Sequence, residues 1–396
     1  MKRMMAAVML VCLLSIQGCQ REQENQESVQ IVSENFSDNE WHPAAGGQEK
    51  KEAEEDCQEI LENIRPIFEN SERGLASNSV ITDETAEEML DKMEESGCAA
   101  YFSRICNGVR NYRQMEKFLK QSRKGEKGEI LLYELCEDGG IGRNKFVFDG
   151  QEMMVIYTRT TWNDDSPVLH ETESYTVKEW EYTKKGWFCY EFCVPEPPEL
   201  SERINADRMV RVKPLKQQYL ETASRYLYPV GYQKNNLICS NWDSEHLEDL
   251  DYRGMYECFY FMKNQEQCRA SQYPDGIPGE EFESLLQEYL PVTTEQIRRY
   301  VEFDEKKQVY IWKGMGGRDY TPTAFGASIP EIIDMKENED GTTAITVDAV
   351  CRRTGNDCVI THVLTVRFDG AGRVKYLGNQ VLGDGLEQIP AYQYRR

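Results

Sequence analysis

The sequence has few positive charges and few histidines. Lysine and arginine together number 46 against 69 aspartates and glutamates, which gives a formal net charge of −23, and there are only four histidines. Nucleic-acid binding depends on lysine and arginine releasing counterions from phosphates, so this balance excludes nucleic acid as a partner. The same balance opposes attraction to anionic lipid head groups.

The common catalytic signatures are also missing. The sequence has no GxSxG nucleophile elbow, no phosphate loop ending in GK[ST] and no HExxH zinc motif. The glycines in 137–142 lie between two predicted strands with no helix after them, which predicts a tight turn. The acidic runs 243–251 and 334–341 do not have the ligand spacing of an EF-hand loop. We therefore expect no catalytic motif, no cofactor and no metal ion.

The N-terminal apolar run, 4–16, is too short to span a bilayer, for which about 20 residues are needed. It follows Lys2 and Arg3 and ends in Ile16-Gln17-Gly18-Cys19, an organisation typical of a secretory signal. It resembles a bacterial lipoprotein signal, although Gln17 departs from the small residue usual there. The resemblance implies removal of 1–18 and attachment of fatty acids such as palmitate to Cys19. Ordinary cleaved secretion and an uncleaved anchor are the alternatives.

The next segment, 19–51, is rich in glutamine, glutamate, asparagine and serine. Such a composition cannot bury enough apolar surface to order itself, so we expect a disordered acidic tether. The expected location is the outer face of the cell membrane. Because the chain is so acidic, the lipid at Cys19 must supply the membrane contact, and stable anchoring needs more than one acyl chain.

The remainder predicts two units, 52–198 and 199–396, each with helices followed by antiparallel strands. The first unit has apolar stripes at helical spacing and then five predicted strands. These strands are 130–136, 145–148, 152–161, 173–182 and 187–194. The second unit repeats the order, and its predicted strands are 309–312, 328–335, 343–351, 358–368 and 373–377. Helices followed by antiparallel strands, in duplicate, define an α+β class.

This order resembles the NTF2-like (cystatin-like) superfamily. The chain also resembles uncharacterised lipoproteins of anaerobic Gram-positive bacteria that carry such units. The residues behind the resemblance are the Cys19 signal, the helical pair in 282–300 and the Asp369-Gly370 hairpin. It implies N-terminal helices packed on a strongly curved antiparallel sheet in each unit, with a pocket inside the cone.

Eleven cysteines remain beyond Cys19, and an odd number cannot form a closed disulfide framework. Most lie among apolar residues and are interpreted as small core residues. Cys351 and Cys358 face each other across a hairpin if Thr354-Gly355 is a two-residue loop. This geometry predicts a cross-strand disulfide, whereas two reduced core thiols are the alternative.

Candidate pocket residues occur near the end of the chain. His362 shares strand parity with apolar neighbours and is expected to face inward, about 13 Å from Cys358, too far for a shared metal ion. Trp312 stands before a glycine-rich loop that contains Arg318 and Asp319. These residues predict either a pocket lip or a mobile surface loop.

The sequence therefore favours a non-enzymatic, lipid-anchored binding or interaction module at the cell envelope, with an envelope protein, an envelope polymer or a small ligand as partner. The alternative is an NTF2-like enzyme or small-ligand sensor that uses a cone pocket in the C-terminal unit. A transporter-coupled receptor is disfavoured, since the strand-helix alternation of parallel α/β lobes is missing.

Overall fold

The fold is mixed α+β, with helices packed on largely antiparallel sheets. The computed structural model describes residues 45–71, 80–104, 107–163, 166–193, 206–311, 323–370 and 372–391. The described residues belong to one compact unit. The predicted boundary at residue 198 lies in 194–205, outside the described residues.

Two helices cover one face of the first sheet. Helix α1 spans Gly47–Asn70 and α2 spans Asp83–Glu95. Their apolar stripes are buried as predicted, and these residues include Cys57, Ile60, Leu61, Ile64, Phe68, Ala86, Met89, Leu90 and Met93. Thr82 caps α2 by accepting the Thr85 backbone N–H at 3.2 Å. Helix α1 begins inside the segment that was predicted to be a tether.

The first sheet has seven strands in chain order. Strand β1 (Ala99–Phe102) is parallel to β2, and all other neighbours are antiparallel. The remaining strands are β2 (Gly128–Leu135), β3 (Ile141–Phe148), β4 (Met153–Asn163), β5 (Ser166–Tyr182), β6 (Trp187–Phe192) and β7 (Asp207–Arg211). Register shifts of β5 against β4 and against β6 each place one extra residue on β5, which bends this strand and curls the sheet. Strands β1 and β7 were not predicted.

Helices lie on both faces of this sheet. Ala100 packs with α1 and α2, whereas its neighbour Ala99 packs with α3 (Tyr112–Ser122) on the other side. Adjacent strand residues point to opposite faces, so the side chains of Ala99 and Ala100 lie on the two sides of β1. The sheet therefore separates two apolar cores.

A second sheet lies in the C-terminal half. It contains β11 (Ile329–Glu337), β12 (Thr343–Val350), β13 (Thr361–Phe368) and β14 (Val374–Val381), antiparallel and in chain order. The last four predicted strands are confirmed. The strand predicted at 309–312 belongs to a separate small sheet of β8 (Ile277–Pro278), β9 (Phe303–Asp304) and β10 (Val309–Tyr310).

Five further helices accompany these strands, namely α4 (Gln217–Thr222), α5 (Tyr252–Asn264), α6 (Gly279–Tyr289), α7 (Thr294–Tyr300) and α8 (Gly385–Gln388). A capping box of Thr293 with Gln296 begins α7. No helix begins near Ser244, although a serine before an apolar run is a common helix start. Asp243 accepts the backbone N–H groups of the following turn, and α5 begins only after Asp251 caps it.

Candidate functional site

A cavity of about 530 Å³ lies between α1 and strands β2 and β3. Charged side chains and one thiol contribute to its lining: Glu52, Asp56, Cys98, Glu129, Arg143 and Lys145. Its volume lies within the range of about 300–1,000 Å³ that is usual for small-ligand sites. None of these residues was predicted as a site residue.

The cavity is charged because two cations stand on the α1 face of β3. Arg143 and Lys145 alternate along β3 with Asn144 and Phe146. The two cations therefore point to the face that α1 covers, and Phe146 points to the opposite face. Arg143 is 1% exposed. The opposing acids, Glu49, Glu52 and Asp56, are three and four residues apart on α1, which places them on one side of the helix.

The Arg143 guanidinium is held on one edge only. Its Nε and Nη2 lie 2.8 and 2.7 Å from Oδ2 of Asp56. Its Nη1 is buried and has no hydrogen-bond partner within the part of the chain that the structure describes. A buried donor without an acceptor costs about 1–3 kcal/mol, and more when it is charged. This donor is out of contact with solvent, so it does not itself offer a hydrogen bond to a ligand in the cavity.

Lys145 is surrounded by carboxylates. Its Nζ lies 2.9 Å from Glu49 Oε1, 3.4 Å from Glu52 Oε2 and 3.7 Å from Glu129 Oε2. Burial acts to lower the pKa of Lys145, but the hydrogen bond to Glu49 and the charges of Glu129 and Glu49 outweigh it and raise the pKa. Lys145 is therefore a permanent donor and cannot serve as a base at neutral pH.

The nearby thiols are not activated. Burial raises the pKa of Cys98, and the charges of Glu59 and Asp56 raise it further. Burial also raises the pKa of Cys57 to about 12 against the opposing effect of Arg143. The thiolate is the nucleophilic form, so both cysteines are inert at neutral pH. The cavity offers hydrogen-bond donors and acceptors for binding.

A second cavity, of about 520 Å³, lies between the C-terminal end of α1 and the N-terminal end of α2. Its acids, Glu84 and Glu88, are exposed. Since it presents no buried charged group, we regard the cavity beside Arg143 as the candidate site.

His362 faces inward as predicted and is fully buried. Its Nδ1 lies 2.7 Å from Asn379 Oδ1, and its Nε2 lies 3.0 Å from the Tyr232 hydroxyl. Because an amide oxygen only accepts, Nδ1 carries the proton and Nε2 accepts from Tyr232. Burial lowers the pKa of His362 to about 4. Both ring nitrogens are occupied within the protein.

A buried carboxylate, Asp348, stands close to this histidine. Asp348 accepts hydrogen bonds from Lys185 at 2.5 Å, Thr361 at 2.6 Å and Cys358 at 3.4 Å. Lys185 belongs to the turn between β5 and β6, so this carboxylate joins the two large sheets. Across the described ranges, no group of three or more histidine, cysteine or acidic side chains is arranged to hold a metal ion.

The predicted pairing of Cys351 with Cys358 is wrong. Cys351 pairs instead with Asn356, through Cys351 N–H to Asn356 O at 2.8 Å, and residues 352–355 form a longer loop than the predicted two-residue turn. The Cys351 thiol donates to the Ala324 carbonyl, whereas the Cys358 thiol donates to Asp348. Both cysteines are free thiols in the structure.

The remaining predicted site residues are Cys19, Trp312, Arg318 and Asp319. All four lie outside the described residues. The predicted pocket lip beside Trp312 therefore stays a prediction, as does lipidation at Cys19.

A second buried charge pair also joins the two sheets and was not predicted. Arg211 on β7 forms an ion pair with Glu331 on β11 at 3.1 Å, and both side chains are less than 10% exposed. The Trp187 indole donates to the same carboxylate at 3.2 Å. Burial raises the pKa of Glu331 to about 7 despite the opposing charge of Arg211. This pair is structural, since both sheets must be in place for it to form.

The fold and the cavity define a mixed α+β protein with a charged, ligand-sized site. The chain belongs to the DUF6070 family, a family of unknown function, whose model matches residues 50–395. Neither the curated proteins nor the solved structures provided a match. Across the described residues, no helix has both the length and the apolar character needed to cross a membrane.

Proposed function

We propose that this chain is a lipid-anchored binding module on the outer face of the cell membrane, and that it holds an envelope ligand in the cavity beside Arg143. The observation that carries the proposal is a cavity of ligand size, about 530 Å³, whose lining holds charged side chains of both signs, Glu52, Glu129 and Lys145 among them. Lys145 keeps its proton and the thiols of Cys57 and Cys98 stay protonated. These groups suit the binding of a ligand better than the catalysis of a reaction.

The proposed architecture is two tandem NTF2-like units. The support is the repeated order of helices and then antiparallel strands, with β2 to β7 in the first unit and β11 to β14 in the second. The two extra residues on β5 give the first sheet the curvature that this superfamily requires. Helix α3 and the parallel strand β1 are additions to the simple pattern.

The proposed anchor is lipid on Cys19. Replacing this residue, Cys19→Ser, is expected to abolish incorporation of a fatty-acid probe and to release the chain from the membrane fraction. Metabolic labelling followed by fractionation measures both effects, with Cys12→Ser as the matched control, because Cys12 lies inside the segment that is removed. Label that persists in the Cys19→Ser protein contradicts lipidation at this position.

Binding through the cavity is tested by filling its mouth. Ser96 is exposed, lines the cavity and ends α2. Ser96→Trp is expected to lower co-sedimentation of the chain with purified cell-wall sacculi at least tenfold, because the indole occupies ligand space. The matched control is Ser71→Trp, at the end of α1 beside the second cavity. Equal sedimentation of both variants and the wild type contradicts a cavity-bound envelope polymer.

The second candidate is an NTF2-like enzyme or small-ligand sensor that uses His362. The observation in its favour is the buried carboxylate of Asp348, whose charge acts on His362. Against it, His362 is fully buried and both ring nitrogens are bonded to Tyr232 and Asn379. An imidazole that titrates between pH 6 and 7 in the folded chain, followed by NMR, would favour this alternative.

A further inference from the structure

We propose that Lys185 and Asp348 condense to an amide, an isopeptide bond that links the two large sheets covalently. Lys185 lies in the turn between β5 and β6 of the first sheet, and Asp348 lies on β12 of the second. The bond is independent of the cavity beside Arg143. Three groups around the Asp348 carboxylate support it, namely an amine, a second carboxyl group and a hydroxyl group.

The amine is already in contact with the carboxylate. Lys185 Nζ lies 2.5 Å from Asp348 Oδ2, which places the nitrogen within about 3.7 Å of the carboxyl carbon. The Asp348 side chain is 0% exposed. Groups held in this way react as if at an effective concentration of about 10⁵–10⁸ M, and the exclusion of bulk water opposes hydrolysis of the product.

Two other lysine ion pairs serve for comparison. The carboxylate of Glu49, which pairs with Lys145, is 28% exposed. The carboxylate of Glu191, which pairs with Lys178, is 24% exposed. Water reaches both carboxylates and stabilises their ionised form, which does not accept an amine. The pair of Lys185 differs because its carboxylate is out of contact with water.

The second carboxyl group, that of Glu331, is placed to move protons. Glu331 on β11 and Asp348 on β12 are directly opposed in the register of the second sheet. Residues opposed in this way point to the same face, with Cβ atoms about 4.5–5.5 Å apart. Burial raises the pKa of Glu331 to about 7 against the charge of Arg211, so this carboxyl group takes and gives a proton near neutral pH.

The hydroxyl group of Thr361 holds the other oxygen of the same carboxylate. Thr361 on β13 is opposed to Asp348 on the far side from Glu331, and its Oγ1 donates to Asp348 Oδ1 at 2.6 Å. The Cys358 thiol donates to the same oxygen at 3.4 Å. Negative charge develops on this oxygen when the amine attacks, and fixed donors stabilise that charge. Oδ2 is therefore the oxygen that leaves.

The pair is ionic before the reaction. Burial acts to lower the pKa of Lys185, but the hydrogen bonds with Asp348 and Cys358 outweigh burial and raise the pKa. The first step is therefore the transfer of one ammonium proton to a carboxyl group, which frees the lone pair of Nζ. In a buried site this step removes two charges that are costly to keep out of water.

The bond then forms between Nζ of Lys185 and the carboxyl carbon of Asp348, and the bond from that carbon to Oδ2 breaks. Of the three ammonium protons, one stays on the amide nitrogen and two leave with Oδ2 as water. Glu331 carries protons between the two groups and ends in the state in which it began. The positive and the negative charge cancel, so the reaction needs no oxidant and no cofactor.

The test is peptide mass spectrometry of the full chain, purified from its native cells. Trypsin cleaves after lysine and arginine, so the linked chain yields residues 185–203 joined to residues 337–352. We expect this product, lighter by one water than the two peptides together. Both peptides contain cysteine, so the protein is first reduced and alkylated, and a link that survives is not a disulfide.

Three variants identify the groups. Lys185→Arg keeps a cation beside Asp348, but a guanidinium stays protonated and is no nucleophile at neutral pH, so we expect no link. Lys178→Arg changes an exposed pair with Glu191 in the same hairpin, and it is expected to link as the wild type does. Glu331→Gln keeps the size of the side chain but cannot carry a proton, and it is expected to lower the linked fraction at least tenfold. Circular dichroism checks that each variant is folded.

Each result decides one part of the proposal. Separate peptides from the wild type, with no water lost, overturn the bond. A link that persists in Lys185→Arg overturns the assignment to Lys185. A Glu331→Gln chain that links as completely as the wild type overturns proton transfer by Glu331. The linked peptides in the wild type and in Lys178→Arg, together with their loss in the other two variants, support the bond as proposed.

Discussion

Replacing Arg211 by methionine is expected to lower the free energy of unfolding by about 3–5 kcal/mol at pH 8, because the change leaves the buried Glu331 carboxylate without its cation. Arg211 also donates to the Lys185 carbonyl and lies over the Trp187 ring. These two contacts lie within the first sheet, whereas the ion pair with Glu331 joins its last strand to the first strand of the second sheet. Urea unfolding followed by tryptophan fluorescence measures the change.

The double variant Arg211→Met, Glu331→Leu is expected to recover most of this loss, since apolar residues of similar volume often replace a buried ion pair without cost. The matched control is Lys178→Met, which removes a more exposed pair with Glu191 in the same sheet and is expected to cost less than about 1 kcal/mol. A loss below 1 kcal/mol for Arg211→Met itself would mean that the pair does not hold the sheets together.

The stability advantage of the wild type over His362→Gln is expected to grow by about 3 kcal/mol between pH 4 and pH 7. Burial lowers the pKa of folded His362 to about 4, against about 6.5 in the unfolded chain. Within this interval the unfolded state binds more protons, so the stabilising contribution is present above pH 6.5 and is lost as the pH falls towards 4.

The contribution of Glu331 to stability changes with pH in the opposite direction. Its folded pKa is raised to about 7, so its contribution is present below about pH 4.5 and is lost as the pH rises through 7. The two effects oppose each other in the wild type.

Glu331→Gln is therefore expected to gain stability relative to the wild type as the pH rises, whereas His362→Gln is expected to lose stability relative to the wild type. Urea unfolding of the three proteins between pH 4 and 8 measures both slopes, and parallel curves would contradict the buried, neutral state of His362.

Elements with strong local patterns could be predicted from the sequence. The apolar stripe of α1, the Thr82 cap and the Asp149-Gly150 turn depend on neighbouring residues alone, and the structure contains all three. Strand β7 could not be found in this way. Its five residues, Asp207–Arg211, carry several charges and become a strand only because β6 offers an open edge.

The candidate site depends on contacts between distant residues. Arg143 and Asp56 are 87 positions apart in the sequence, and no short motif predicts the hydrogen bond between them. One signal was available: the spacing of Glu49, Glu52 and Asp56 gives α1 an acidic line beside its apolar stripe. The pairing of Cys351 was missed for a related reason, because the length of a hairpin loop decides which residues face each other.

Helix α1 begins at Gly47, and the acids that hold Lys145 lie in its first two turns. Any pull on residues 1–46 must enter the described fold at Gly47, by continuity of the polypeptide. Such a load reaches the contacts of Glu49 and Glu52 with Lys145 before it reaches the apolar stripe, whose first buried residue is Ala53. The carboxylates that shape one wall of the cavity are thus the first to bear mechanical tension.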